Sequence, residues 1–239
     1  MSILNVWKIV HIIPLQARSV NSPGGKKGMV AVKKMIITVS RQYGSGGRVI
    51  AKALAERLGI AYYDKELIVL AAKESGFAEE IFEESEDKTP NSLLYSLVMG
   101  TYGMGGQGIG VPDMPIGDKV FLIQSNLIRS LAAKESAVFV GRCADYVLEG
   151  REDTTNFFIY APLENRVRRA VSEYHLAPEK SESAVLRIDK RRANYYNYYA
   201  NRKWGKIDNY DLAVDSSKLS VDDTVELLQK YVEMKYKDE

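Results

Sequence analysis

The residues best suited to chemistry lie in "VSRQYGSGGRV", Val39 to Val49, where Gly44, Ser45, Gly46 and Gly47 separate an apolar run from an amphipathic one. A strand, a glycine-rich turn and a helix start in that order form an anion site from backbone alone. The first N–H groups of the helix have no intrahelical partner, and the macrodipole adds about half a positive charge there. Glycines let several N–H groups curl toward one phosphate. The full phosphate-loop pattern is G-x-x-x-x-G-K-[ST], and two registers approach it. With Gly46 as the last loop glycine, Arg41 replaces the first glycine, Gly47 the lysine and Arg48 the hydroxyl residue. With Gly47 as the last, Gln42 replaces the first glycine, Arg48 the lysine and Val49 the hydroxyl residue. Guanidinium grips phosphate bidentately, so Arg48 is a chemically sensible substitute. A glycine-rich turn with no ligand is the plainer alternative.

Three further groups stand out. "GRCADY", from Gly141, follows the apolar run "AVFV", so Arg142, Cys143 and Asp145 belong at the end of a strand, where open parallel sheets bind ligands. Asp145 is expected to be either a base-reading group or a surface carboxylate. Asp64 sits where a helix N-cap belongs, ahead of "KELIVLAAKES". The segment from Arg187 to Lys206 has seven Lys/Arg against one acid, Asp189, and several tyrosines. Such a segment suits a solvated face, an RNA patch with stacking rings, or a lid over phosphates. Arg187 and Arg191 are four apart and share a helix face; Arg192 is held in reserve. "GMGGQG" (Gly103 to Gly108) matches G-x-G-x-x-G by letter but lacks the preceding strand and following helix.

The elements that would position these groups alternate along the chain. Short apolar runs at 35–39, 60–63, 137–140, 156–161 and 210–215 read as buried strands, separated by helical patterns. That alternation predicts an α/β fold with a five-stranded parallel sheet between two helical layers. Helical patterns also cover 78–99. Residues 100–117 hold seven of the eighteen glycines and read as a loop. The 239 residues are expected to form one domain from 35 to 239, with a lid at about 179–206. Residues 1–34, with "NSPGGKKG" near their end, read as an appendage. The single cysteine excludes an internal disulfide, and His11 and His175 are too distant to suggest a metal site. A net charge of +2 argues neither for nor against a polyanionic partner, and no apolar run is long enough for a membrane span. A cytoplasmic protein is expected.

"ITVSRQYGSGGRVIAKALAERLGIAYYDKELI", "VFVGRCADYVL", "FFIYAPLENRVRRAV", "DKRRANYYNYYANRKWG" and "YDLAVDSSKLSVDD" together resemble the cytidylate kinase-like family, relatives of the P-loop nucleoside monophosphate kinases. The resemblance spans about residues 35–235. It implies a three-layer P-loop kinase fold and phosphoryl transfer from ATP, as its Mg2+ complex, to a small acceptor such as CMP. In that scheme Gly44 to Arg48 bind nucleotide phosphate. Arg142, Asp64 and Asp145 hold the acceptor, and Arg48, Arg187 and Arg191 supply catalytic charge. This sequence departs from the family pattern at Cys143, where an aspartate would stand. A non-catalytic nucleotide sensor or partner-binding module is the alternative. Neither a membrane nor a nucleic acid partner is expected, and the oligomeric state is left open.

Overall fold

The computed structural model describes residues 34–64, 66–76 and 114–237. The appendage at 1–33, the helical patterns at 78–99 and the glycine-rich stretch up to residue 113 lie outside the described residues, as does "GMGGQG". In chain order the elements are β1 (Ile36–Arg41), α1 (Gly47–Leu58), β2 (Ala61–Tyr63), α2 (Glu66–Ser75) and α3 (Ile116–Lys134). They continue with β3 (Ala137–Val140), α4 (Ala144–Val147), β4 (Thr154–Tyr160), α5 (Leu163–Ser172) and α6 (Pro178–Ala200). A 3-10 turn at Ile207–Asn209, β5 (Leu212–Asp215) and α7 (Val221–Lys235) complete the order.

The five strands form one parallel sheet in the order β2-β3-β1-β4-β5. Successive side chains of a strand point to opposite faces, so a central strand covered by helices on both sides buries residues of both faces. Ile36 and Phe139 pack with Leu67, Val120 and Ile128 from α2 and α3. Ile37, Val39, Val138, Phe157 and Ile159 face the other way, onto Ile50 and Leu54 of α1 and Val225 and Leu228 of α7. The result is the expected three-layer α/β/α fold.

β1 lies at the centre of the sheet. Its connection leaves toward β2, whereas that of β4 leaves toward β5, so the carboxyl ends of β1 and β4 flank a topological switch point. The loop after β1 and the turn after β4 meet there: Gln42 N–H donates to Ile159 O at 3.0 Å and Ala161 N–H to Gln42 Oε1 at 3.2 Å.

α7 closes the fold on α1 and begins at a well-formed cap. Ser220 Oγ accepts the Asp223 N–H at 3.1 Å. Ser220→Ala should therefore cost about 1 kcal/mol. Thermal melts should show a fall of about 2–4 °C. No change would mean that the helix end is held by packing alone.

Candidate active site

The loop Gln42–Gly46 ends at Gly46, which takes the left-handed conformation at the N-cap of α1 (φ 77°) without any capping side chain. The first turn of α1 carries no acidic residue; Gly47 N–H reaches Ser45 Oγ only at a long 3.4 Å, and a helix start of this kind suits an outside anion. Gly47 opens the helix and has no space for a side chain. A Cβ there would stand 2.6 Å from Arg41 Cβ and 3.1 Å from Ile159 Cβ. With Gly46 ending the loop, the lysine's place falls on Gly47, so this backbone holds no side chain there. Ser45 is buried; its hydroxyl donates to Gln42 O at 2.8 Å, and Ser216 Oγ donates to Ser45 O at 2.6 Å. Ser45 thus braces the loop from within.

The same loop is gripped from α5 and α6. Tyr43 N–H donates to Asp189 Oδ1 at 2.7 Å, and Asp189 Oδ2 pairs with the buried Arg166. Arg166 Nη1 also donates to Tyr43 O at 3.3 Å and its Nε to Ala161 O at 2.9 Å. Arg169, one turn on, donates to Gly44 O at 3.2 Å. Burial pushes the Asp189 carboxyl up from its ordinary range, opposed by the Tyr43 N–H and by Arg166. Arg192, three residues after Asp189, donates to Arg41 O at 3.1 Å and lies over the Tyr43 ring.

Beside the loop, the ends of β1 and β3 and the inner face of α6 enclose a cleft of about 340 Å³, part of it open to solvent. Arg41, Arg142 and Arg192 line it, with Tyr195, Tyr196 and Trp204 on the α6 side. Arg142 (φ 57°) and Cys143 (φ 54°) are both left-handed, an uncommon conformation for residues with a Cβ that costs of order 1–3 kcal/mol each. That turn carries the chain from β3 into α4 and delivers the buried Arg142 to the cleft wall. Asp145 is buried and accepts the Tyr196 hydroxyl proton at 2.6 Å, so it ties α4 to α6 rather than serving as a surface carboxylate. Burial pushes the Asp145 carboxyl up, opposed chiefly by the Tyr196 hydroxyl; burial and the Asp145 charge push Tyr196 up.

The structure gathers most of the predicted residues, though not into one cluster. Gly44 to Gly47 form the loop and Arg142 the cleft. Asp64, at the end of β2, pairs with the half-exposed Arg48 and lies 4.0 Å from Arg41. Arg187 is exposed and Arg191 half-buried; neither lines the cleft, whereas Arg192 does. Two residues along a helix is a rotation of about 200°, so the face of Arg187 and Arg191 lies away from the face on which Asp189 grips the loop. Arg41, Arg166, Arg169 and Asp189 are site residues that spacing did not single out. Their signal was slight: three arginines at 166–169 after a strand, and one acid in a basic segment.

The model of the cytidylate kinase-like family matches residues 36–218. The chain belongs to that family. It is 28% identical to a cytidylate kinase of Methanosarcina mazei over 82% of this chain and 94% of that one. It is 22% identical to a cytidylate kinase of Methanopyrus kandleri over 83% of this chain and 93% of that one. Among solved structures, an uncharacterized protein from Eubacterium ventriosum matches with a TM-score of 0.63 at 26% identity, covering 84% of this chain and 99% of that one. The family match runs from β1 to just past β5 and so takes in the loop, the cleft and α6.

Two of the carboxylates that tie the site together have measurable signatures. Asp189→Ala leaves Arg166 buried without its partner and should cost about 3–5 kcal/mol in denaturant unfolding; a loss under about 1 kcal/mol would show that the contact is incidental. Asp145 titrates higher when folded than unfolded, so its ionisation weighs against folding, and stability falls as pH rises through the folded value. Asp145→Asn keeps an acceptor for Tyr196 without the charge. Its melting temperature relative to the parent should therefore climb as pH rises above the ordinary carboxylate value of about 4. A difference independent of pH would rule out the buried charge as its cause.

Proposed function

We propose that the protein transfers the γ-phosphoryl group of ATP to a nucleoside monophosphate, with CMP the first candidate. The observation that carries this reading is that the glycine loop after β1 adjoins an arginine-lined cleft at the carboxyl ends of β1 and β3. The glycine loop opens on the N-terminus of α1, and the arginine-lined cleft lies beside it under α6. The two archaeal relatives are named cytidylate kinases, which supports CMP as acceptor. A phosphate-monoester acceptor presents an anionic oxygen, so no general base is required. What remains is positioning and cancellation of charge on the equatorial oxygens.

In this reading Gly44 to Gly47 cradle the donor phosphates through backbone N–H groups, and Arg169 beside Gly46 adds charge. Arg142 meets the acceptor phosphate. Arg192 approaches the migrating group from α6, with Arg191 and Arg187 flanking it. Asp64 orients Arg48, and Asp145 fixes the Tyr196 wall on which the acceptor base would rest. Magnesium would enter as part of the ATP complex, held mainly by phosphate oxygens and water. Among the described residues no group of three acidic, histidine or cysteine side chains is placed to hold a resident ion.

ADP release with magnesium-ATP and a panel of nucleoside monophosphates, sugars and small alcohols tests the assignment. CMP should support turnover, and Arg142→Ala should lower kcat/KM for it by about 10²–10³-fold. Gly46→Val, which adds a side chain beside Arg169 in the phosphate site, should abolish ATP binding. Tight ATP binding with no ADP from any acceptor would instead support a nucleotide sensor.

A further inference from the structure

One cation in the cleft has, among the described residues, no partner equal to its charge. Arg41 ends β1, its side chain is only 8% exposed, and it lines the cleft with Arg142 and Arg192. Its guanidinium rests over Gly141, where an added Cβ would stand 3.1 Å from Cζ. Among the described residues it donates no hydrogen bond, and its one ion pair, to Asp64, is 4.0 Å long. Asp64 is meanwhile paired more closely with Arg48. A guanidinium carries five donors, and leaving such a group buried and unbonded is costly. Two further arginines in the same cleft add like-charge repulsion. Native interiors seldom keep such an arrangement unless a ligand completes it.

A second observation comes from Gly47. The atoms that exclude a side chain there are Cβ and Cγ of Arg41, together with Ile159 Cβ. Relative to the phosphate-loop pattern, the first glycine has become arginine and the lysine has become glycine. The two changes occupy one space. The chain has moved its cation from the helix to the strand end.

We propose that Arg41 is a phosphate ligand. With Arg142 and Arg192 it forms a site for a phosphate-monoester dianion, and it carries the charge that a lysine at 47 would have supplied. The proposal deepens the phosphotransfer reading and rests on it for the identity of the ligand. Two negative charges and three oxygens suit several guanidinium groups gripping side by side. A neutral hydroxyl acceptor would leave the charge of Arg41 uncompensated. The cleft therefore selects phosphorylated acceptors over sugars and alcohols. The same chemistry is offered by the acceptor's phosphate and by the terminal phosphate of ATP.

Calorimetry and thermal melts on the full chain distinguish these sources, using inorganic phosphate, CMP, cytidine and a non-hydrolysable ATP analogue. Arg41→Gln should melt no lower than the parent, because it removes an under-paired buried cation. It should bind CMP and inorganic phosphate about 10- to 100-fold more weakly and cytidine equally. Arg41→Lys should fall between, having charge without the bidentate grip. Weakening confined to CMP assigns Arg41 to the acceptor, and weakening confined to the ATP analogue assigns it to the donor; either supports the site. Binding of both ligands as tight as in the parent overturns it, as does a parent that binds none of the phosphate probes. If Arg41→Gln does not fold, Arg41→Lys decides: several-fold weaker phosphate binding supports the site, and unchanged binding overturns it. Failure of the phosphotransfer reading looks different, with no ADP formed from any acceptor while phosphate binding still depends on Arg41.

Discussion

The single carboxylate of Asp189 decides the geometry of the phosphate end of the molecule. A loop with glycines at 44 and 46 and a third opening the next helix has much conformational entropy to lose and few side chains with which to hold itself. Its order must come from outside. Asp189 supplies it by accepting the Tyr43 N–H and pairing with Arg166, which in turn donates to the Tyr43 carbonyl. Both polar groups of one loop residue are thereby held by side chains from α5 and α6. Arg192 and Tyr196, three and seven residues beyond Asp189, share its side of α6 and so reach the cleft. α6 and the glycine loop are mechanically one piece in this state, and any movement of α6 away from the loop must release Tyr43.

Charge is distributed to suit that arrangement. Arg41, Arg142, Arg166, Arg169 and Arg192 all approach the loop or the cleft, while Asp64, Asp145 and Asp189 sit behind them. The acids are each engaged in holding a neighbour in place. Asp64 pairs with Arg48, Asp145 holds Tyr196, and Asp189 holds Tyr43 with Arg166. The positive excess is thus turned toward the space a phosphate would fill. Salt bridges of this kind add little net stability, since desolvation offsets much of the attraction, but they fix where each guanidinium points.

The fold was legible because its signals are local. Each strand is a short apolar run and each helix an amphipathic period. The loop was legible for the same reason. The cleft was not, because its geometry depends on rotations that spacing leaves open. The four-residue interval between Arg187 and Arg191 placed them on one face of a helix without saying which face meets the sheet. That choice is made by Asp189, Tyr196 and Ala200 turning inward. The sequence also presents Arg48 as the cation nearest the glycines, but its side chain leaves the helix toward Asp64 at the end of β2. Parallel pairing of β2 with β3 brings Asp64 there across a strand gap that no linear motif records.

Moving a cation from the first turn of a helix to the end of a strand has a physical consequence beyond relocation. A lysine at the helix start would project a flexible four-carbon stem and a compact ammonium, able to follow a phosphate as it shifts. Arg41 is confined between Gly141, Gly47 and the backbone of its own strand, so its guanidinium is fixed before any ligand arrives. Preorganised charge avoids reorganisation during reaction, at the cost of tolerating only ligands whose phosphate lands in one place. In the proposed site Arg192 is the second half of the clamp, reaching the cleft from a helix tied to the loop by Asp189 and Arg166. Two arginines, one at a strand end and one on a helix, then share the charge that a single lysine would have supplied.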